Sequence, residues 1–137
     1  MSRYCLDTSA YSHFKRGDPQ VVDLIDRAEW LGLPSIVLGE LWIGFLLGGR
    51  LEKNQAELDE FLTHPPVVEL AVDHEISRIY AEMVVSLRKA GTPIPSNDVW
   101  IAATAKRMGV PVLTYDDHFL DIQQSTTLLL PTPSYKR

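Results

Sequence analysis

The stretch LGLPSIVLGELWIGFLLGG, residues 31–49, constrains the fold more than any other part of this 137-residue chain. It is long enough to span a bilayer, yet it carries one charge, Glu40, near its middle. A charge at that depth costs about 2.5–3.5 kcal/mol on membrane-insertion scales, and Pro34 interrupts the helix that a membrane span would need. The stretch therefore predicts a short buried strand that includes 31–33 and a buried helix over 36–47, and not a membrane span.

Short strands alternate with helices along the rest of the chain. Besides the one at 31–33, apolar segments predict strands at 3–6, 67–70, 111–114 and 127–130. The clearest helix follows Asp73, because its apolar positions from Ile76 to Leu87 are spaced by three and four residues. This alternation predicts an α/β fold in which a mostly parallel sheet of about five strands lies between layers of helices. No repeat or linker divides the sequence, so residues 1–137 are expected to form one domain.

Composition narrows the class of protein. The formal net charge is −5 and the pI about 5.3, so phosphates repel the chain unless a local basic patch or a bound cation reverses the field. The one cysteine, Cys5, cannot form an intramolecular disulfide or a cysteine zinc site. The start of the chain lacks the apolar core of a signal peptide. We therefore expect a cytoplasmic protein without a membrane segment.

Four acidic residues occupy positions that such a fold brings together. Asp7 follows the first predicted strand and Asp116 follows the fourth, and ligand crevices in open parallel sheets lie beyond the carboxyl ends of the strands. Asp98 follows a predicted helix cap at Ser96, and Glu40 lies in the first turns of its own helix. Since helices of this fold class begin near the same edge, we expect the four carboxylates to converge there.

Each acid also has a simpler interpretation. Asp98 can complement the helix dipole, which is worth about 0.3–1 kcal/mol, and Asp7 and Asp116 can stabilise turns. Glu40 is different, because a carboxylate in an apolar segment is costly unless it is paired, and no basic residue stands near it in the sequence. A partner elsewhere in the fold is one solution, and a cation is the simplest.

A divalent cation would relieve the mutual repulsion of several carboxylates at one point. Oxygen ligands without a cysteine or an evident histidine set favour Mg²⁺, or Mn²⁺, over zinc. His118 follows the Asp116–Asp117 pair but is expected to serve as a surface residue, since one histidine is not a signature. The ion would also supply the positive charge that an acidic chain needs to hold a phosphodiester.

The segments YCLDTSAY, PSIVLGELWIGF and PIPSNDVWIAATAKRMGVPVLTYDDHF resemble the PIN-domain nuclease family, and specifically the VapC-type toxins of type II toxin–antitoxin systems. The resemblance extends from residue 3 to about residue 131. It implies a PIN-like three-layer α/β/α sandwich and a Mg²⁺-dependent endoribonuclease that hydrolyses RNA phosphodiester bonds as a toxin. It also implies a small antitoxin protein as a partner and a homodimer as the assembly.

The resemblance assigns roles to individual residues. The acidic catalytic cluster would be Asp7, Glu40, Asp98 and Asp116, with Asp7 and Asp98 as the most direct metal ligands and the other two as further candidates. Supporting positions would be Thr8, Ser9, Thr114 and Asp117, where the match to Thr-x-Asp favours Asp116 over Asp117 as the fourth acid. Thr8 and Ser9 can also cap the first helix. Lys15 and Arg16 are the preferred contacts to RNA phosphates.

Two alternatives within the family stay open: a PIN-type RNA-processing nuclease that is not a toxin, and a catalytically silent PIN-like binding module. The presence of all four acids argues against the silent module, and the compact length favours the toxin. An aspartyl phosphatase would need a second aspartate two residues after Asp7, where Ser9 stands. Walker, dinucleotide, GxSxG and HExxH patterns are absent from the sequence.

Overall fold

The fold is built on one five-stranded sheet in a computed structural model that describes residues 2–134. The strands are β1 (Arg3–Leu6), β2 (Trp30–Pro34), β3 (Val67–Leu70), β4 (Val112–Thr114) and β5 (Thr127–Leu129). They lie in the order β3-β2-β1-β4-β5, and every neighbouring pair is parallel. The five predicted strands are confirmed, with their ends placed within one residue.

Six α-helices connect the strands. They are α1 (Thr8–Lys15), α2 (Pro19–Arg27), α3 (Ser35–Leu47), α4 (Leu51–Leu62), α5 (His74–Ala90) and α6 (Ser96–Met108), and a short 3₁₀ helix (Asp117–Asp121) follows β4. Parallel strands require crossover connections, and crossovers on the two sides of the central strand β1 cover opposite faces of the sheet. The result is the three-layer α/β/α arrangement that the sequence predicted.

None of the helices between residues 2 and 134 has the length and apolarity needed to cross a membrane. The prediction of a single domain over 1–137 includes Met1 and residues 135–137, which lie outside the described residues. That prediction stays a prediction.

The strand order creates a crevice beside β1. The chain adds β2 and β3 on one side of β1 and then β4 and β5 on the other side. At such a switch point the connections leave the carboxyl ends of two neighbouring strands in opposite directions, which opens a cleft between them. Asp7 directly follows β1, and Asp116 lies two residues beyond Thr114, the last residue of β4. Both predicted acids therefore border this crevice.

Helix α6 lies close to the sheet because its inner face is made of small residues. Ala102, Ala103 and Ala105 are fully buried, and the helix contacts β1, β2 and β4 as well as α3. These small side chains let the backbone of α6 approach the sheet closely. This approach sets the first turn of α6, with Asp98, beside the central strands and beside the helix that carries Glu40.

The prediction of a buried helix after β2 is wrong for the second half of α3. Val37 and Leu41 are buried, but Ile43, Leu46 and Leu47 are 60%, 65% and 84% exposed. A helix that is apolar on every side has no polar stripe to mark its solvent face, so the sequence could not show which residues pack against the sheet. The exposed end of α3 is an apolar surface.

The starts of two helices also differ from the predictions. Asp7, and not Thr8 or Ser9, caps α1 by accepting a hydrogen bond from the amide of Ala10. Helix α6 begins at Ser96 after Pro95 without a side-chain cap, so Ser96 is its first helical residue and not its cap. The shift leaves Asp98 in the first turn of α6, where it was expected.

Candidate active site

Asp7 is the most buried of the predicted acids. Its side chain is 4% exposed and accepts three sets of hydrogen bonds: from the Ala10 amide at 2.8 Å, from Ser9 Oγ at 2.8 and 2.9 Å, and from Thr114 Oγ1 at 2.5 Å. Burial raises the pKa of Asp7 to about 6, although these hydrogen bonds lower it, and the charge of Asp98 adds to the increase. The carboxylate is thus held rigidly in a poorly solvated position.

The two hydroxyls that hold Asp7 also hold the end of β4. Ser9 Oγ accepts a hydrogen bond from the Tyr115 amide at 3.0 Å, and Thr114 Oγ1 accepts one from the Asp116 amide at 2.9 Å. Ser9 and Thr114, both predicted as supporting residues, therefore connect the chain after β1 to the chain after β4. This network fixes Asp116 relative to Asp7.

A second group lies at the mouth of the crevice. Asp98, Asp116 and His118 each offer one ligand atom within 4.8 Å of the others. His118 Nδ1 lies 3.4 Å from Asp98 Oδ2 and 3.2 Å from Asp116 Oδ1. In the described part of the chain, no other three acidic, histidine or cysteine side chains bring their ligand atoms this close together, and the group includes neither Asp7 nor Glu40.

The structure distinguishes between the two adjacent aspartates. Asp116 caps the 3₁₀ helix by accepting a hydrogen bond from the His118 amide, and its carboxylate belongs to the group with Asp98. Asp117 is the first residue of that 3₁₀ helix, is exposed and is not part of the group. Asp116 is therefore the one that faces the cluster.

Glu40 has a hydrogen-bond partner from another helix. Thr8 Oγ1 donates to Glu40 Oε1 at 2.6 Å, which joins α1 to α3. The partner that the apolar sequence around Glu40 required is thus supplied in part by a hydroxyl, 32 positions away. Thr8, predicted as a supporting residue, contacts Glu40 and not Asp7.

Asp98 links the four acids electrostatically. Burial raises the pKa of Asp98, and the negative charges of Asp116 and Glu40 raise it further, while its contact with His118 lowers it. Asp98 in turn raises the pKa of Asp7. Electrostatic effects therefore link all four carboxylates through Asp98, and their roles in a metal site stay a prediction.

Lys15 and Arg16 lie at the end of α1 and line a cleft that is separate from the acidic cluster. Lys15 Nζ forms a 2.7 Å ion pair with Glu57 of α4. Both basic residues line a cleft of about 430 Å³ between α1, α3 and α4, together with Leu41 and Phe45, and none of the four acids lines that cleft. Their contact with RNA phosphates stays a prediction.

Two features of the site were missed by sequence reasoning. The buried Tyr115 hydroxyl donates to Asp18, 97 positions away, and the His13 ring packs on the Tyr115 ring at a centroid distance of 4.0 Å. His118 was expected at the surface; it is indeed exposed, but its ring reaches two acids of the cluster. The only sequence signal for His118 was its place directly after two aspartates, and nothing in the sequence linked Tyr115 to Asp18.

A three-layer α/β protein with acidic residues at the switch point of its sheet is the class that this geometry defines. The family model described as PIN domain matches residues 4–124. Ribonuclease VapC4 of Mycobacterium tuberculosis is 34% identical over 119 residues, which cover 85% of this chain and 88% of that protein. Ribonuclease VapC5 of the same organism is 31% identical over 115 residues, 83% of each chain.

Solved structures agree with the sequence relatives. VapBC2 from Rickettsia felis, bound to a DNA fragment from its promoter, superposes with a TM-score of 0.81 at 26% identity and covers 93% of this chain and 98% of that one. The chain belongs to the PIN domain family. The resemblance to VapC-type proteins and the PIN-like fold, both inferred from the sequence, are confirmed.

Proposed function

We propose that this protein is a Mg²⁺-dependent endoribonuclease that acts as the toxin of a toxin–antitoxin pair. The observation that carries the proposal is the convergence of Asp7, Glu40, Asp98 and Asp116 from four separate elements on one crevice. Relatives named ribonucleases match more than four-fifths of the chain, which supports the same reaction class here.

The residues present fit a divalent cation. Asp98 and Asp116 offer carboxylate oxygens close together, and their half-buried position and mutual repulsion favour the entry of positive charge. Oxygen donors suit Mg²⁺, and Mn²⁺ can replace it. The resemblance implied Asp7 and Asp98 as the most direct ligands, with Glu40 and Asp116 as further candidates. We propose instead that Asp98 and Asp116 would hold the ion, because both oxygens of Asp7 already accept hydrogen bonds from Ser9, Ala10 and Thr114. Asp7 and Glu40 would complete the acidic surroundings. When bound, such an ion lowers the pKa of a water molecule and neutralises charge that develops on the phosphate.

The chain's own groups position the reactants. Thr8 holds Glu40 through Oε1, so that Oε2 can accept a proton from the attacking water. Ser9 and Thr114 keep the Asp7 carboxylate in one orientation, and its negative charge adds to the field that attracts the cation. Water as the nucleophile predicts products with 5′-phosphate and 3′-hydroxyl ends.

The partners belong to the proposal as well. The exposed apolar end of α3, formed by Ile43, Leu46 and Leu47, suits a protein partner because monomers rarely expose such patches without a function. A small antitoxin, a homodimer and a cytoplasmic location follow from the VapC-type relationship and remain proposed. Lys15 and Arg16 are the proposed contacts to RNA phosphates.

The central experiment measures cleavage of a defined RNA by the purified chain with Mg²⁺, with EDTA and after Mg²⁺ is restored. Asp98→Asn and Asp7→Asn should each lower the cleavage rate by at least 10²-fold, because each removes a charge from the cluster. Asp121→Asn serves as the matched control, since Asp121 is exposed at the end of the 3₁₀ helix and belongs to no part of the site. A folded Asp98→Asn variant that cleaves at the wild-type rate would refute the site.

A second experiment separates the toxin from the two alternatives. Expression of the wild type should arrest growth, and expression of Asp98→Asn should not. Cleavage in vitro without growth arrest would favour an RNA-processing nuclease. A folded wild type without metal-dependent cleavage would favour a silent binding module.

A further inference from the structure

We infer that His118 supplies a nitrogen ligand, through Nδ1, to the divalent cation held by Asp98 and Asp116. The inference rests on the proposed metal-dependent nuclease function and adds a residue beyond the four acids. It gives the site a mixed oxygen and nitrogen donor set, which changes the expected preference among metal ions.

The position of Nδ1 is the first support. It lies 3.2 Å from Asp116 Oδ1 and 3.4 Å from Asp98 Oδ2, and the ligand atoms of the three residues are within 4.8 Å of one another. Ligands around one ion are separated by distances of this order, because each lies about 2.0–2.3 Å from the metal. The two carboxylates come from different elements, and the imidazole adds a third ligand atom next to both of them.

The backbone on either side of His118 is held in place although the imidazole ring is exposed. The His118 amide donates to Asp116 Oδ1 at 3.0 Å. The next residue, Phe119, is fully buried in the core, so it anchors the 3₁₀ helix to the rest of the fold. The main chain thus positions Cβ of His118 so that the side chain can place Nδ1 next to the carboxylates of Asp98 and Asp116.

Hydrogen-bond chemistry gives the third support. Ionised carboxylates only accept, so Nδ1 must carry a hydrogen to interact favourably with both of its neighbours. That hydrogen occupies the place between one nitrogen and two carboxylates that a cation would take. With the cation present, Nδ1 offers its lone pair and the ring hydrogen resides on Nε2.

Asp7 is less suited to the same position. Its two oxygens already accept hydrogen bonds from Ser9, Ala10 and Thr114, and it does not belong to the close group of Asp98, Asp116 and His118. The cation is therefore assigned to the position between Asp98, Asp116 and His118. A nitrogen ligand is accepted less readily by Mg²⁺ than by transition-metal ions, so the wild type should bind Mn²⁺ more tightly than Mg²⁺.

The experiment uses Mn²⁺ itself as the probe, bound to the full chain without RNA. Electron spin echo envelope modulation should show ¹⁴N coupling from a directly bound imidazole in the wild type. His118→Asp should keep Mn²⁺ bound but lose the coupling, because its carboxylate oxygen falls where Nδ1 lies. His74→Gln is the control: His74 is exposed at the start of α5, and this variant should keep the coupling.

Equilibrium dialysis adds a second readout. Substituting His118→Ala should weaken Mn²⁺ binding by about tenfold or more and reduce the ratio of Mn²⁺ to Mg²⁺ affinity. Bound Mn²⁺ without ¹⁴N coupling in the wild type, or coupling that persists in His118→Asp, would overturn the role of His118 and leave the acidic site intact. If the wild type binds no more Mn²⁺ than Asp98→Asn does, and neither binds any, both the inference and the proposed metal site are wrong.

Discussion

Thr114 Oγ1 donates a 2.5 Å hydrogen bond to Asp7 Oδ2, across 107 positions of the sequence. The bond joins the carboxyl ends of β1 and β4 at the switch point of the sheet. Thr114 also accepts from the Asp116 amide, so one hydroxyl orients an acid on each side of the crevice. The geometry of the cluster therefore depends on a buried residue that does not itself carry charge.

Replacing Thr114 with valine tests that dependence. Thr114→Val keeps the shape of the side chain but leaves the buried Asp7 without one of its donors and the Asp116 amide without its acceptor. Unsatisfied buried groups cost roughly 1–3 kcal/mol each, so the free energy of unfolding should fall by about 2 kcal/mol, and RNA cleavage should fall by at least tenfold. Urea unfolding and single-turnover cleavage measure the two effects.

Thr104→Val is the control for this substitution. Thr104 is also fully buried, but its hydroxyl donates to the Trp100 carbonyl within its own helix at 2.8 Å. Its loss should cost less than about 1 kcal/mol and leave cleavage unchanged. Equal effects of the two substitutions would mean that any buried threonine hydroxyl matters as much as Thr114.

The raised pKa of Asp7 predicts a pH-dependent stability. Because the folded pKa is about 6 and the ordinary value is 3.8, the folded state binds the proton more tightly than the unfolded state. Ionisation of Asp7 therefore does not affect the free energy of unfolding below about pH 4, and between pH 4 and 6 it lowers that free energy progressively. Above pH 6 the decrease is constant, on the order of 3 kcal/mol. Stability from this group is lost as the pH rises.

Asp7→Asn isolates the contribution of Asp7, since asparagine cannot ionise. Relative to the wild type, the unfolding free energy of Asp7→Asn should increase from pH 4 to pH 7 by an amount that approaches about 3 kcal/mol. Denaturant titrations in metal-free buffer at several pH values give this difference directly. Parallel pH profiles for the two proteins would contradict the assignment of a high pKa to Asp7.

Thr8 provides a test of the orientation of Glu40. Thr8→Ala removes the 2.6 Å hydrogen bond to Glu40 Oε1, so the carboxylate should occupy several rotamers. The cleavage rate should fall about tenfold, which corresponds to about 1.4 kcal/mol of lost transition-state stabilisation. Thr8→Ser retains the hydroxyl and should retain most of the activity. If Thr8→Ser is as impaired as Thr8→Ala, the methyl group and not the hydroxyl is what matters.

The sequence revealed the parts of this fold that depend on local pattern. Strand β1 and the acid after it could be predicted together, because the acid directly follows a short strand-like segment, although Asp7 could also have been a turn residue. Gly91 and Gly109 end α5 and α6 at positive φ, a conformation that glycine adopts without strain. These features depend on residues that are adjacent in the sequence, so they can be predicted without knowledge of the tertiary structure.

The parts that could not be predicted depend on contacts between distant segments. The exposed side of α3 is one example, because Leu47 and Val37 are equally apolar and only the packing distinguishes them. The hydrogen bond from Tyr115 to Asp18 is another, since Asp18 had a sufficient local role as the residue before α2. In both cases the sequence offered a satisfactory local interpretation, and the tertiary structure replaced it.

Gly32 in the middle of β2 gives the last prediction, on stability alone. A Cβ atom at this position would lie 2.6 Å from Leu70 Cδ1 and 2.7 Å from the Trp30 ring. Trp30 cannot move without loss, because the Arg3 guanidinium packs 4.9 Å from the centre of its ring. Gly32→Ala should therefore lower the free energy of unfolding by about 1–3 kcal/mol, as overpacking generally does.

Gly39→Ala is the matched substitution with the opposite expected sign. Gly39 lies inside α3, and apart from its chain neighbours and the nearby backbone of its own helix, no atom lies within 4 Å of a Cβ placed there. Alanine should stabilise the helix by about 0.5–1 kcal/mol, because it loses less backbone entropy on folding than glycine does. Urea midpoints of the two variants, measured against the wild type, should shift in opposite directions. A Gly32→Ala variant at least as stable as the wild type would show that Trp30 and Leu70 can repack, and that the close approach in β2 does not require glycine.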